Sequence, residues 1–277
     1  MKILIELSTW LGDAIMSTPA IESISNYYHN PQITLIGSSI SIEALANHPN
    51  VVKTEILNKE YLSLYITAKK LGEFDAFYSF RSSFRTNFLK FFINSNIKHQ
   101  FNKNLYKNRH QVEKYNEFIN DCNNTKIPAG PLILHSKKTN SISKKAVGIN
   151  PGASYGSAKR WYPEEFAKVA QVLSSSYDIH IFGGPNEIDI ANEIENYLIK
   201  SNVKNVKNFA GKTSINEVID KISELDLFIT GDSGPMHIAA SFKIPTICIF
   251  GPTKHEESSQ WMNEKSIIIK KNLGCQP

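Results

Sequence analysis

The chain has 277 residues, 41% hydrophobic and 21% charged, with 31 Lys+Arg against 26 Asp+Glu for a formal net charge of +5. That length makes one large or two ordinary domains with core enough to fold without disulfide staples, and the composition excludes disorder, collagen and coiled coil as descriptions of the whole. The most apolar stretches, 244–250 and around 88–93, fall far short of the ~20 apolar residues that span a bilayer, and three widely spaced cysteines, Cys122, Cys248 and Cys275, fit neither a disulfide framework nor a paired-cysteine zinc site.

Hydrophobic period alternates strand and helix almost from end to end. A strand opens the chain at 2–7, its apolar run too brief before Glu6 for a signal peptide, so the cytoplasm is the expected compartment. There follow a helix at 13–28, a strand at 32–36, a helix at 40–47, a strand at 52–57, a helix at 61–71 and a strand at 76–79. A second series has a strand at 146–150, a helix at 163–176, a strand at 179–182, helices at 187–199 and 214–223, a strand at 227–230, a helix at 235–242 and a strand at 246–250. Such alternation predicts parallel sheets with helices on both faces, and the polar, cationic segment 136–145 reads as a linker. The expected fold is α/β, two doubly wound, Rossmann-like domains at 1–140 and 141–277 facing each other across a cleft, with ligands outside the carboxyl ends of the strands.

Between Arg81 and Lys114 the charge is nearly all of one sign: Arg81, Arg85, Lys90, Lys98, Lys103, Lys107, Arg109 and Lys114 face a single acid, Glu113. The stretch is open to two readings, a solvated surface or a face for an anionic partner, where each basic side chain near an acidic lipid surface gains ~1 kcal/mol. Phe84, Phe88, Phe91, Phe92, Phe101, Leu105 and Tyr106 interleave with the charges, a mixture that suits an amphipathic lipid better than nucleic acid.

The strand-end loops carry the chemistry. After the first strand, Ser8-Thr-Trp-Leu-Gly-Asp13 has neither the three glycines of a dinucleotide fingerprint nor the Gly-Lys-Ser/Thr of a P-loop, which argues against NAD enzymes and P-loop NTPases. Asp13 reads either as a helix N-cap or, at the mouth of a cleft, as a general base. Pro151-Gly-Ala-Ser-Tyr-Gly-Ser-Ala-Lys-Arg-Trp161 lets a ligand approach its backbone and sets Lys159 and Arg160 just ahead of a helix, as an anion site would; the bland alternative is a flexible turn with two solvated cations. In Gly231-Asp-Ser-Gly-Pro-Met-His237, Pro235 suits the first helical position and the amides of Ser233 and Gly234 stand at the positive helix end, fit for a diphosphate. His237 is near enough to contact a bound phosphate or sugar, or else is a structural histidine. Gly183-Gly-Pro-Asn186 and Gly251-Pro-Thr253 are further tight turns.

Together these pieces resemble the ADP-heptose:lipopolysaccharide heptosyltransferases. The matching runs are Gly12-Asp13, Pro151 to Trp161, Gly211-Lys-Thr-Ser214, Gly231 to His237 and Phe250-Gly-Pro-Thr253, with His110-Gln-Val-Glu-Lys-Tyr-Asn116 similar to the stretch near the end of the family's N-terminal domain. The resemblance covers nearly the whole chain in order and implies the two-domain GT-B fold, with acceptor bound by 1–140 and nucleotide sugar by 141–277. Ala158-Lys-Arg-Trp161 and Gly-Pro-Met-His are most similar to the branch that adds the second inner-core heptose to the first. Position by position, it implies Asp13 and Lys159 as catalytic residues. Ser154, Lys159, Asn208, Lys212, Asp232, Ser233, Gly234 and His237 would surround the donor; Gly12, Arg81, Ser83 and Arg85 would approach the acceptor. No cofactor and no divalent metal are required by this reading; ADP-heptose is the donor substrate. The partners are that nucleotide sugar and an anionic glycolipid, heptosyl-Kdo-lipid A, met in peripheral contact with the inner face of the cytoplasmic membrane, and no nucleic acid. Family members usually continue past Cys275-Gln-Pro277 into a C-terminal helix, so a truncated and impaired form is a further expectation.

The implied chemistry is a single in-line displacement that inverts the heptose anomeric carbon, with Asp13 activating the acceptor hydroxyl and Lys159 with the helix start at Ser233 meeting the charge of departing ADP. Three rivals stand beside it. One is heptosyltransferase I or another transferase of the family. The second is a non-catalytic two-lobed receptor for a nucleotide sugar. The third is a nucleotide-sugar epimerase of the same fold, which needs no acceptor.

Overall fold

The structure, a computed structural model, describes residues 1–136, 145–153 and 156–271; most of the segment read as a linker, together with Ser154 and Cys275, lies outside the described residues. The chain divides into two units, Met1–His135 and Ser136–Pro277.

The first unit runs β1 (Lys2–Glu6), α1 (Leu11–Met16), α2 (Thr18–Tyr27), β2 (Gln32–Gly37), α3 (Ser39–Leu45), β3 (Val51–Ile56), α4 (Tyr61–Lys70), β4 (Glu73–Ser79), α5 (Phe84–Phe92), β5 (Asn94–Gln100) and α6 (Gln111–Asn123). Its strands form one parallel sheet in the order β3-β2-β1-β4-β5. β1 is buried continuously from Ile3 rather than on alternate residues, because a parallel sheet is covered on both faces. Leu4, Ile36 and Phe77 pack there against Leu64 and Ala68 of α4 and Leu89 of α5.

Two differences from the sequence reading have local causes. The helix read at 13–28 is two helices broken at Ser17. Pro19 has no N–H to offer the carbonyl of Ile15, and hydroxyls replace the missing ladder: Thr18 Oγ1 donates to that carbonyl at 2.8 Å and Ser17 Oγ to Ala14 O at 2.7 Å. The basic aromatic stretch, read as surface, holds α5, β5 and the start of α6. β5 is the polar edge strand Asn-Ser-Asn-Ile-Lys-His-Gln, paired only with β4, so no apolar alternation betrays it. Of its interleaved aromatics, Phe101 and Tyr106 are buried, stacked on each other at 5.6 Å, while Phe84 and Phe91 stand exposed.

The second unit runs β6 (Ala146–Asn150), α7 (Pro163–Leu173), β7 (Asp178–Ile181), α8 (Ile188–Lys200), β8 (Val206–Asn208), α9 (Ile215–Ser223), β9 (Leu227–Gly231), α10 (Gly234–Ser241), β10 (Thr246–Phe250), α11 (His255–Ser258) and β11 (Ser266–Lys270). The parallel order is β11-β10-β9-β6-β7-β8. Phe166 of α7 and Ile194 and Leu198 of α8 cover Val147, Ile149 and Ile181 of the sheet. The sequence reading lacked β8, β11 and the single-turn α11: β8 has three residues, and β11 is an edge strand with Ile267 and Ile269 facing outward.

In each sheet the chain winds outward from the first strand, then returns to its other side. The order therefore reverses between β1 and β4 in one unit and between β6 and β9 in the other, and loops leaving those neighbours diverge to open a crevice. The loops after β1, β4, β6 and β9 carry most of the candidate residues.

Candidate active site

In the first unit the switch point is built around a buried acid. Glu6, last residue of β1 and 2% exposed, accepts Ser79 Oγ at 2.6 Å and Thr86 Oγ1 at 3.2 Å, and the Arg81 guanidinium stands 3.6 Å from its Oε1. Burial raises its pKa above the usual carboxylate range, with Ser79 and Arg81 pulling the other way. Glu6 thus ties the ends of β1 and β4 to the first turn of α5. Of the residues expected at the acceptor, Arg81 faces Glu6. Ser83 caps α5, accepting Thr86 N at 3.2 Å, and Arg85 Nη2 donates to Asn58 O at 2.9 Å.

Asp13 lies in the first turn of α1, the helix that follows β1. It is the third residue of α1, not its N-cap; that place belongs to Trp10, which caps without its side chain, so the capping reading of Asp13 is corrected. Asp13 is half-buried and its carboxylate acts on Tyr115 of α6. Burial first and the Asp13 charge second push the Tyr115 hydroxyl well above its ordinary range, so it stays protonated. That hydroxyl is 2.8 Å from Ser8 Oγ, which also reaches Phe80 O at 3.2 Å, so one buried pair links the loop after β1, the end of β4 and α6. Gly12 is the second residue of α1.

In the second unit the loops after β6, β9 and β10 converge on Asp232. Lys159 Nζ and Thr253 Oγ1 both donate to Asp232 Oδ2, at 2.6 and 2.7 Å. The two side chains of the ion pair are 19% and 8% exposed, so most of the Lys159 charge is matched in place. Close approach of backbone makes this possible. A Cβ on Gly251 would lie 3.0 Å from Ala158 O and one on Gly231 3.3 Å from Lys159 O, so glycines let the turn Ser157–Lys159 sit directly on the ends of β9 and β10. Beside the pair, Asn150 Nδ2 lies 3.2 Å from Thr230 Oγ1 and 3.1 Å from Ser233 Oγ, while its buried Oδ1 has no hydrogen-bond partner among the described residues. This knot fixes Ser233 as the residue before α10, whose first N–H groups have no carbonyl one turn back and whose dipole presents positive charge. Gly234 opens that helix, and His237, its fourth residue, is buried.

The structure therefore brings Lys159, Asp232, Ser233, Gly234 and His237 together, with Arg160 bound through Nη2 to Ala153 O at 3.3 Å. Asn208 and Lys212 stand apart, at the end of β8, two strands away from β6. Asn208 braces the fold: its Nδ2 donates to Asn192 Oδ1 at 3.0 Å and Glu195 Oε2 at 2.8 Å, and its Oδ1 accepts Ala210 N at 3.0 Å. Lys212 is exposed, Nζ 3.2 Å from Asn208 O. The loops after β6 and β7 meet through Glu187, which accepts Gly184 N at 2.7 Å and packs where a Cβ on Gly152 would stand.

Sequence reasoning missed Glu6, Tyr115, Asn150 and Thr253 as members of these clusters. Glu6 had a signal, a lone acid inside the run Ile3-Leu-Ile-Glu-Leu7; Tyr115 and Thr253 lay in quoted runs without a role. It also saw no compact metal-ligand cluster, whereas Glu22, His48 and His135, far apart in sequence, bring ligand atoms within 4.8 Å of one another. His48 Nδ1 accepts Asn50 N at 3.1 Å, so Nε2 carries the proton, donating to Glu22 at 2.9 Å; this tautomer leaves His48 no lone pair for an ion.

The chain is similar to known proteins in both sequence and fold. The model of glycosyltransferase family 9 (heptosyltransferase) matches residues 68–277. Lipooligosaccharide heptosyltransferase 2 of Campylobacter jejuni (serotype O:2) is 41% identical over all of this chain and 89% of its own length. The Haemophilus ducreyi protein of the same name is 26% identical over 98% of this chain and 88% of its own. The solved structure of Escherichia coli ADP-heptose lipopolysaccharide heptosyltransferase II has the same fold, with a TM-score of 0.85 at 21% identity over 99% of this chain and 92% of that one. With three-quarters of its length matched by the family model and a parallel sheet in each unit as in the solved relative, the chain belongs to glycosyltransferase family 9, the heptosyltransferases.

Proposed function

We propose that the chain is an inverting glycosyltransferase that moves L-glycero-D-manno-heptose from ADP-heptose to the first heptose of the lipopolysaccharide or lipooligosaccharide inner core. The observation that carries this is the 41% identity, over the whole chain, to a lipooligosaccharide heptosyltransferase 2. The two doubly wound units are read as the halves of a GT-B enzyme, the first taking the glycolipid and the second the nucleotide sugar.

In this reading Asp13 is the general base. Its half-buried carboxylate acts on a tyrosine that stays protonated, so that neighbour adds no second anion to compete for the substrate proton. The departing ADP meets the amides at the start of α10 and the Lys159 ammonium. Because Asp232 already matches that ammonium at 2.6 Å, the helix start supplies the uncompensated positive potential, while Lys159 turns from Asp232 toward the diphosphate as negative charge develops. These groups meet the leaving charge without a divalent ion, so turnover persists in excess chelator. Glu6 positions Arg81 toward the anionic groups of a Kdo-containing acceptor. No helix among the described residues is long and apolar enough to cross a membrane, and we place the enzyme at the cytoplasmic face of the inner membrane, against its lipid-borne acceptor.

Release of ADP, followed in a coupled assay, tests the reading. It is expected only when ADP-heptose and the glycolipid acceptor are both present. Release or isomerisation of the donor without acceptor points to an epimerase, and binding without release points to a receptor.

A further inference from the structure

The first unit carries an apolar surface that its own fold leaves uncovered. α4 buries Leu64 and Ala68 and turns Tyr61, Leu62, Tyr65 and Ile66 outward; α5 buries Thr86 and Leu89 and turns Phe84 and Phe91 outward. Leu62, Phe84 and Phe91 are 70, 76 and 75% exposed. Ring contacts join the helices into one surface: Tyr61 meets Phe88 at 5.0 Å, Tyr65 meets Phe92 at 4.9 Å, and Phe91 meets Phe92 at 5.0 Å. Single exposed apolar side chains are ordinary, but six on two adjoining helices form a patch of the kind that marks a contact site.

Charge selects the occupant. The ionisable groups of the two helices besides tyrosine are Lys69, Lys70, Arg85 and Lys90, all cationic; Arg85 is turned inward, donating to Asn58 O at 2.9 Å with its charge acting on buried Glu6, which leaves the three lysines to the surface, while Glu60 precedes α4 and Glu73 beyond it is held by Asn94 at 2.9 Å. A second copy of the chain would set these three cations against the same three across a two-fold axis. Nucleic acid would pair with the cations yet leave Leu62 and Ile66 against water or phosphate. An anionic bilayer answers both parts, acidic headgroups taking the lysines while aromatic and aliphatic side chains enter the headgroup boundary.

We propose that the paired outer faces of α4 and α5 are the membrane-docking surface of the chain, selective for bilayers with anionic headgroups. The proposal rests on the transferase reading only in choosing a bilayer as occupant, and its test does not depend on activity.

The test is co-sedimentation with phosphatidylcholine vesicles, with and without phosphatidylglycerol. The full chain is expected to sediment with the anionic vesicles, less so as salt rises. L62E/F91E is expected to lose at least about tenfold in partition, and K69Q/K90Q about fivefold per charge. V172E, the same change on the exposed outer side of α7, leaves partition unaltered. Circular dichroism and transfer to a detergent-dispersed acceptor, unchanged in both double variants, show that fold and activity survive. Equal partition into neutral and anionic vesicles, or L62E/F91E binding like the parent, overturns the proposal. So does a lipid-free dimer in sedimentation velocity that L62E/F91E converts to monomer, since the face then pairs copies. Vesicle binding by a chain that transfers no sugar would uphold the surface and sink the activity.

Discussion

Removal of Lys159 removes more than a cation. The ammonium is 2.6 Å from Asp232 Oδ2, and the side chains are 19% and 8% exposed, so the pair is close to neutral as seen by an incoming diphosphate. In Lys159→Ala the local charge falls from about zero to minus one, with Asp232 held by Thr253 alone among these donors. At about 5 Å and an effective dielectric of about 20, one unit charge acts on another with about 3 kcal/mol, or roughly a hundredfold in affinity. Lys159→Ala should therefore weaken ADP binding by about a hundredfold. Lys159→Ala with Asp232→Ala, which removes the uncovered acid, should recover about tenfold of that loss although it deletes a second residue of the site. Asp232→Ala alone removes the carboxylate paired with a largely buried ammonium and should cost about 2–3 kcal/mol of stability. Isothermal titration with ADP and urea denaturation measure the two quantities. A double variant that binds ADP no better than Lys159→Ala would refute the reasoning, because Asp232 would then not act on the diphosphate.

Four other outcomes follow from the geometry. Asp13→Asn should slow transfer by about 10²–10⁴-fold while leaving ADP affinity, measured by titration, close to the parent's. Tyr115→Phe removes the hydroxyl shared with Ser8 and should cost about 1 kcal/mol, since Ser8 retains Phe80 O; thermal denaturation reads the loss. For Glu6, whose folded pKa is raised above 4.5 by burial, the native state favours the protonated acid. Its stabilising contribution is present below about 4.5 and is lost as pH rises through the folded value, so urea midpoints of the parent should fall relative to Glu6→Gln over that window and run parallel above it. Gly152→Ala would put a methyl 2.1 Å from the Glu187 carboxyl carbon while that carboxylate is tied to Gly184 N, and should destabilise by about 1–3 kcal/mol in denaturant titration.

The parallel sheets were legible because their inner strands are short apolar runs, such as Ile3-Leu-Ile and Ile247-Cys-Ile-Phe250, set between amphipathic helices. Of the edge strands β3 was legible, but β5 and β8 were not: β5 is polar, β8 has three residues, and both take their place from a neighbour's unpaired edge rather than from a pattern of their own. α5 escaped because its phenylalanines fall on two faces, one packed and one exposed, so charge and aromaticity read as surface. Helix 13–28 keeps its apolar period across Ser17, and only the backbone accounting at Pro19 reveals the break. At the site, loop motifs located Lys159 and the start of α10, because anion-binding turns need glycines and a helix N-terminus in sequence order. The pairing of Lys159 with Asp232, and of Glu6 with Arg81, joins residues 73 and 75 positions apart and is fixed by sheet order, which no local pattern states.

The most direct measurement is mass spectrometry of acceptor lipids after incubation with ADP-heptose, comparing a core that carries one heptose with one that ends in Kdo. The account predicts gain of a single heptose unit on the first lipid, little or none on the second, and an α-linkage in the product. Gain on the Kdo-terminated lipid alone would make the chain the enzyme of the first heptose, and no gain on either would contradict the transferase account altogether.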